Sequence, residues 1–288
     1  MPAIYAHNRF GEAVIATLPP SFRDFLKKYN EAFCLGTQGP DILFYHRPIK
    51  SNPTRKKGMD MHLAPAEGFF LKQGERLFKD KLVKEQNGVY LPASADAAYI
   101  AGFICHFTLD VFAHPHIYEL EDTGVSHGRI ESEFDKYLLR KDGRPIRGFK
   151  TAGQITKKNG TAQACANALE VSTDEILRSI KTMRTINNDL FSNPFPPVHG
   201  FCHFVLRIAG MEGKFGEMFL HKKDDPACNA LNSTLEKDLS DAVPKAAALI
   251  EDYFSNLPKH IENGKLDEFF GNNYTGGKFD GKHDPKNR

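Results

Sequence analysis

Between Gly102 and Ile117 the chain reads GFICHFTLDVFAHPHI, and three of its residues carry donor atoms at intervals of four: His106, Asp110 and His114. On an α-helix successive residues advance by about 100°, so positions four apart lie within about 40° of one another. The three therefore form one polar stripe. Phe103, Ile104, Phe107, Leu109, Val111 and Phe112 make the rest of that helix apolar nearly all round, which marks a buried helix. An unpaired carboxylate in such a place costs on the order of several kcal/mol or takes up a proton. A buried arginine answers a lone His-x3-Asp pair as well as a cation does, but here the pattern repeats. In VSHGRIESEFD, His127 and Glu131 again stand one turn apart, the first of them thirteen residues after His114. Imidazole nitrogen and carboxylate oxygen are ligands that suit zinc. Glu133 and Asp135 fall on other faces of the second helix and read as solvated or capping charges.

Three earlier residues have donor chemistry and a plain alternative each. His7 near the N-terminus reads equally as a surface histidine. Asp41, in LGTQGPDILFY, reads as a charge at a helix start after Pro40. His62, in MDMHLAPAEGFF, reads as a turn residue before Pro65. Residue chemistry alone leaves all three open.

The elements that position these residues are helical in sequence pattern. Arg9 to Leu18 is a short amphipathic stretch stopped by Pro19-Pro20, and Ser21 caps a second, FRDFLKKY. Pro40 opens the apolar turn DILFY. A helix is expected from Pro65 to about Glu85, another from about Ala95 to Tyr118, and a third from Val125 to Lys141. Residues 142–165 are rich in Gly, Lys and Thr and read as a long loop, a kind of segment that is often functional or disordered. Thr173-Asp174 caps a helix to about Phe191, and SNPFPP breaks the chain. His199 to about His221 is apolar and helical, with His203 on an apolar face as a core residue. Leu231 to Leu257 is a long helix bent at Pro244. No run of alternating strand residues stands out. The expected class is all-α, with one domain over residues 1–258 and a polar tail over 259–288, whose last fifteen residues, YTGGKFDGKHDPKNR, read as disordered.

Composition narrows the function. The 38 basic and 36 acidic residues nearly cancel, so there is no electrostatic footprint for nucleic acid or an anionic membrane. The run Arg55-Lys56-Lys57 reads as a solvated loop. Five scattered cysteines, none at zinc-ribbon or redox spacing, read as reduced core residues. The start MPAIYAHNRFGEAV lacks the pattern of a secretory signal, and no run of 18 apolar residues occurs, so a cytoplasmic protein with no membrane span is expected. His-Glu-x-x-His, the P-loop and Gly-x-Ser-x-Gly are absent, against metalloprotease, nucleoside triphosphatase and serine hydrolase chemistry. His283-Asp284 has no partners nearby in sequence and is set aside.

The ordered set His7, Asp41, His62, His106-x3-Asp110, His114, His127-x3-Glu131 resembles the zinc-dependent phospholipase C family, and it is similar to the related S1/P1-type nucleases built on the same trinuclear zinc scaffold. The match covers about residues 1–140, with order, type and spacing agreeing at eight positions. The resemblance implies that Asp41, His62, His106 and Asp110 hold one zinc, that Asp110 bridges to a second held by His7, and that His114, His127 and Glu131 hold a third. It also implies that Asp41 is the general base for the water that attacks phosphorus. Two features depart from the family. Its mature chains usually begin with a tryptophan that ligates zinc through its terminal amine, whereas this chain has no tryptophan and offers Pro2, freed by removal of Met1. In the phospholipases the histidine after the aspartate lies six residues on, which is His116 here. His114 is preferred because it stays near the stripe and Pro115 disturbs the helix beyond it.

Three functions follow as expectations. The first is a zinc-dependent phosphodiester hydrolase, with two or three Zn2+ ions, acting on a phospholipid or a similar phosphodiester. The second is a nuclease or nucleotidase on the same scaffold, which needs aromatic platforms for bases. The third is a non-enzymatic helical protein whose metals are structural.

Overall fold

The computed structural model describes residues 4–208, 216–221 and 223–276. It is all-α apart from one short hairpin. Four helices lead to the centre: α1 (Ile4–Thr17), α2 (Pro20–Lys28), α3 (Asn30–Gly36) and, after a 3-10 turn over Gly39–Tyr45, α4 (Pro53–Leu63). The cap expected at Ser21 is instead Pro19, with Pro20 at the first helical position, where a missing N–H costs nothing. The run Arg55-Lys56-Lys57 lies on α4, not in a loop, with Lys56 paired to Asp60 and Lys57 to Glu170.

The next helix, α5 (Glu67–Lys79), is shorter than its apolar pattern predicts, because the chain turns into β1 (Lys84–Gln86) and β2 (Val89–Leu91). Asn87 and Gly88 have φ of 53° and 78°, the two left-handed residues that a tight antiparallel hairpin requires.

Helix α6 (Ala95–Glu121) is the axis of the fold. Ser94 starts it by accepting a hydrogen bond from the Ala97 N–H, the usual N-cap device. By length and composition α6 alone among the described helices could cross a membrane, yet 89% of its most apolar window is buried inside the protein. It is a core helix around which the others gather. Helix α3 crosses it at backbone contact distance: a Cβ on Gly36 would stand 2.1 Å from the Tyr99 carbonyl oxygen, and one on Gly102 2.1 Å from that of Phe33. Only glycine at both positions allows that approach.

Then come α7 (His127–Lys141), α8 (Asn159–Leu169) and α9 (Thr173–Arg184), the last continued by a π-helical turn over Thr185–Phe191. The long loop expected over 142–165 ends earlier, at α8, and it is packed, with Thr151, Ala152 and Ile155 buried. Ser172, not Thr173-Asp174, caps α9 in a reciprocal capping box with Glu175. Helix α10 (Pro196–Ile208) precedes α11 (Asn229–Ser255), which contains Pro244, and α12 (Leu257–Asn263). Of the helix expected from His199 to His221, residues 199–208 are helical and residues 216–221 are not α-helical, while residues 209–215 and 222 lie outside the described residues. Helix α11, like α3, packs on α6.

Residues 259–276 do not behave as a tail. Leu266, Phe270 and Tyr274 are buried in the main core, and the Phe270 ring lies 4.8 Å from that of Phe70. Their four-residue spacing was present in sequence, diluted by the polar residues between them. The rest of the expected tail, residues 277–288 with His283-Asp284, lies outside the described residues.

Candidate metal centre

Five elements bring the eight sequence-predicted donors together. Helix α1 supplies His7, the 3-10 turn Asp41, α4 His62, α6 the stripe His106, Asp110 and His114, and α7 both His127 and Glu131. Six of them are buried, and His62 and His127 half-buried. They fall into three groups whose donor atoms lie within 4.8 Å of one another: His7, His106 and Asp110; Asp41, His62 and His106; and His114, His127 and Glu131.

Room for the central ring is made by a glycine. Gly39 has a φ of +48°, and a Cβ there would come 2.1 Å from Cδ2 of His106. The turn that delivers Asp41 thus lies directly against the imidazole of His106. At the other end of the site, the His114 and His127 rings stack at 5.4 Å.

The distances fit a small cation. His62 Nε2 stands 3.0 Å from Asp41 Oδ1, His106 Nε2 3.2 Å from Asp110 Oδ2, His7 Nε2 3.4 Å from Asp110 Oδ1, and His127 Nε2 3.3 Å from Glu131 Oε1. Ligands about 2.0–2.1 Å from a tetrahedral zinc are separated along each edge by about 3.3–3.4 Å. The two oxygens of Asp110 face different histidines, the arrangement of a bridging carboxylate.

Tautomers sharpen the fit. The Gly58 carbonyl, which can only accept, lies 2.7 Å from Nδ1 of His62, so Nδ1 carries the hydrogen. In a neutral ring Nε2 is then bare and faces the Asp41 oxygen, lone pair to lone pair. His114 has Nδ1 3.1 Å from the Asp110 carbonyl in the same way. Asp41 Oδ1, His62 Nε2, His106 Nε2, Asp110 Oδ2 and Glu131 Oε2 are buried without a hydrogen bond of acceptable geometry. The 3.0 Å approach of Asp41 and His62 is therefore an ion-pair contact without a well-directed hydrogen bond. Three buried carboxylates beside five imidazoles want either protons or metal, and orphaned donors of this kind fit zinc.

In the metal-free protein the carboxylates win protons for their neighbours. Burial lowers the pKa of His7, His62 and His127, but Asp110, Asp41 and Glu131 respectively outweigh it and hold all three above the ordinary histidine value. For His114 burial prevails and the pKa falls. Burial pushes Asp110 up, yet His106 and His114 hold it well below the carboxylate range. Asp41 and Glu131 are likewise held low, against burial, by His106 and His127 in turn.

His116 points elsewhere. It is partly exposed and pairs with Asp238 at 2.8 Å, so of the two alternatives only His114 lies among the grouped donors. Pro115 does not end α6, which runs on to Glu121. Glu133 and Asp135, expected on other faces as solvated or capping charges, are both buried, and Asp135, four residues after Glu131 on α7, shares its face. Glu133 pairs with the buried Lys136, and Asp135 caps α1 from a distance. Residues 1–3, and with them Pro2, lie outside the described residues.

Two neighbours were not foreseen. Glu121 Oε2 lies 3.3 Å from His127 Nδ1, the carboxylate behind a histidine that fixes its ring and raises its basicity. Tyr274 sets its ring 5.2 Å from His62 and 5.9 Å from His106, and its buried hydroxyl has no hydrogen-bond partner among the described residues. Burial, with Asp110 and Asp41 nearby, keeps that phenol protonated far above its ordinary pKa. No spacing rule joins residue 274 to this cluster.

Fold and donors together define an all-α protein with buried sites suited to zinc. The family of zinc-dependent phospholipase C matches residues 6–183, a stretch that holds all eight donors and more than half of the chain, and the protein belongs to that family. No curated protein and no solved structure matches the chain.

Proposed function

We propose that this protein is a zinc-dependent hydrolase of phosphodiesters that cleaves a phospholipid between its glycerol and its phosphate. The observation that carries this reading is the convergence of His7, Asp41, His62, His106, Asp110, His114, His127 and Glu131 into three adjoining donor groups. Asp110 directs one oxygen to His7 and the other to His106, which suits two neighbouring ions, and the His114 group suits a third. Zinc bound there supplies Lewis-acid polarisation of a phosphoryl group and an acidified water.

The chain's own residues do the rest. His62 and His114 are fixed by their backbone contacts, and Glu121 orients His127. Asp41, kept ionised by His106 and His62, is the base that takes the proton from the attacking water. Tyr274, the Gly39 turn and the body of α6 keep bulk water from the inner side of the cluster.

The test is release of a phosphorylated headgroup from phosphatidylcholine by zinc-loaded protein, with single-stranded DNA assayed in parallel. Turnover of phospholipid that Asp41→Asn abolishes while zinc content is retained supports the reading. Cleavage of DNA alone assigns the nuclease function instead, and turnover of neither substrate at saturating zinc leaves the metals structural.

A further inference from the structure

Helix α10 is built inside out. Its inner face is held by two histidines: the His199 ring lies 5.1 Å and the His203 ring 4.6 Å from that of Phe219, and Arg147 donates to His199 Nδ1 at 3.2 Å. Its apolar residues point the other way. Phe201, Phe204, Val205 and Ile208 recur at the spacing of one helical face, and they are 67%, 60%, 45% and 73% exposed. Phe195, just before the helix, is 66% exposed. This reverses the expectation that the apolar face of this segment belongs to the core. An apolar patch of this kind on a folded surface marks a face for a partner or a membrane.

Two observations choose the occupant. The stripe is uncharged: residues 190–206 contain no Asp, Glu, Lys or Arg, and Arg207 follows directly. A helix lying in a lipid interface presents phenylalanine and aliphatic residues to the acyl boundary, and an uncharged stripe suits a zwitterionic lipid surface. The charged residues Arg129, Glu217 and Asp225 line a cleft beside it. The stripe also borders this cleft, whose lining adjoins the metal centre in sequence. His203, Phe204 and Arg207 line the cleft, of about 820 Å3, together with Gly124, Val125 and Ser126, and Ser126 is the cap of α7 immediately before His127.

We propose that the outward stripe of α10, with Phe195, docks this protein on a zwitterionic phospholipid surface and brings headgroups to the cleft beside His127. This rests on the phospholipid reading of the metal centre and assigns it a route of substrate delivery. Phe201, Phe204 and Ile208 enter the acyl boundary, and Arg207 lies at headgroup level.

The test uses the zinc-loaded full chain and phosphatidylcholine vesicles. Wild type and Ile49→Ser, a control at an exposed apolar residue elsewhere, are expected to co-sediment with vesicles. The triple variant Phe201→Ser, Phe204→Ser, Ile208→Ser is expected to bind at least tenfold less. Its rate on vesicles relative to monomeric short-chain phosphatidylcholine should fall by a similar factor. The chain has no tryptophan, so Phe204→Trp adds a single reporter whose emission should shift to the blue on vesicle addition, a readout that does not depend on how the triple variant folds. Equal binding by the triple variant, no binding by wild type, or no spectral shift overturns the proposal. So does a wild-type dimer that the triple variant dissolves, which makes the stripe a self-association face. Vesicle binding through the stripe without phospholipid turnover leaves docking standing and removes the phospholipase reading. Turnover of monomeric lipid without vesicle binding does the reverse.

Discussion

Asp135 caps a helix to which it does not belong: its carboxylate accepts hydrogen bonds from the backbone N–H groups of Tyr5 and Ala6, at 3.1 and 2.9 Å. It sits on α7 one turn beyond Glu131, and Ala6 directly precedes His7. One carboxylate therefore ties the first donor of the cluster to the helix that carries the last two. Asp135→Ala leaves two buried N–H groups bare, at about 1–3 kcal/mol each. Thermal unfolding should show that loss, and zinc content should fall. A variant with unchanged zinc content and stability would mean that α1 is held by its apolar face alone.

His106 and His116 lie on the same helix with opposite prospects. His106 belongs to two of the three donor groups, so His106→Ala is expected to lose most of the bound zinc and all zinc-dependent turnover. His116→Ala breaks only a partly exposed pair with Asp238, worth about 0.2–1 kcal/mol. Metal analysis of the two purified variants checks this, and zinc loss in His116→Ala would put the wrong histidine in the site.

Zinc takes imidazole only in its neutral form. Because His7, His62 and His127 are held above the ordinary histidine value, they gain protons earlier than usual as pH falls. Zinc affinity should therefore begin to drop while pH is still above about 6.5. Competition titrations from roughly pH 8 to pH 5.5 measure the slope, and affinity that stays flat until pH 6 would contradict it.

Gly39→Ala is predicted to be costly although Gly39 offers no donor side chain. Its φ of +48° strains any other residue, and the new methyl group meets the His106 ring. About 1–3 kcal/mol of stability and part of the zinc should go together. Stability measured with and without chelator separates the strain from the metal loss.

The cap of α9 offers a pH test away from the metal. Hydroxyls of Thr54 and Ser172, with the Ser172 N–H, hold the Glu175 carboxyl down to about 2 from its ordinary 4.5. A carboxylate depressed in the folded state stabilises above its unfolded value and loses that contribution as pH falls from 4.5 toward 2. Glu175→Gln should cost about 1 kcal/mol near neutrality. The gap to wild type should narrow through that acid window, and a gap independent of pH would argue against an ionised cap.

The central stripe was legible in sequence because periodicity and burial are local properties. His106, Asp110 and His114 had to share a face, and their neighbours had to be inside. His127 and Glu131 followed from the same rule. His7, Asp41 and His62 were different: nothing in their own surroundings separates a ligand from a surface or turn residue, and only their order along the chain pointed to the site. What lay beyond reach was tertiary. Asp135 read as a solvated or capping charge, and which helix it caps was hidden because its partners, Tyr5 and Ala6, are remote in sequence. The segment from His199 read as a helix with an inward apolar face, whereas Phe201 and Phe204 point outward: an apolar stripe does not say which way it faces. The hairpin at Asn87-Gly88 was a local signal, overridden by the helical pattern before it.

Tyr274 gives the order of residues along the chain a meaning of its own. Its ring stands against His62 and His106, whereas the eight donors all precede residue 132. As the ribosome releases the chain, every donor emerges long before the tyrosine that roofs two of them. The donor set is complete in the chain before the ring that covers His62 and His106 has been made.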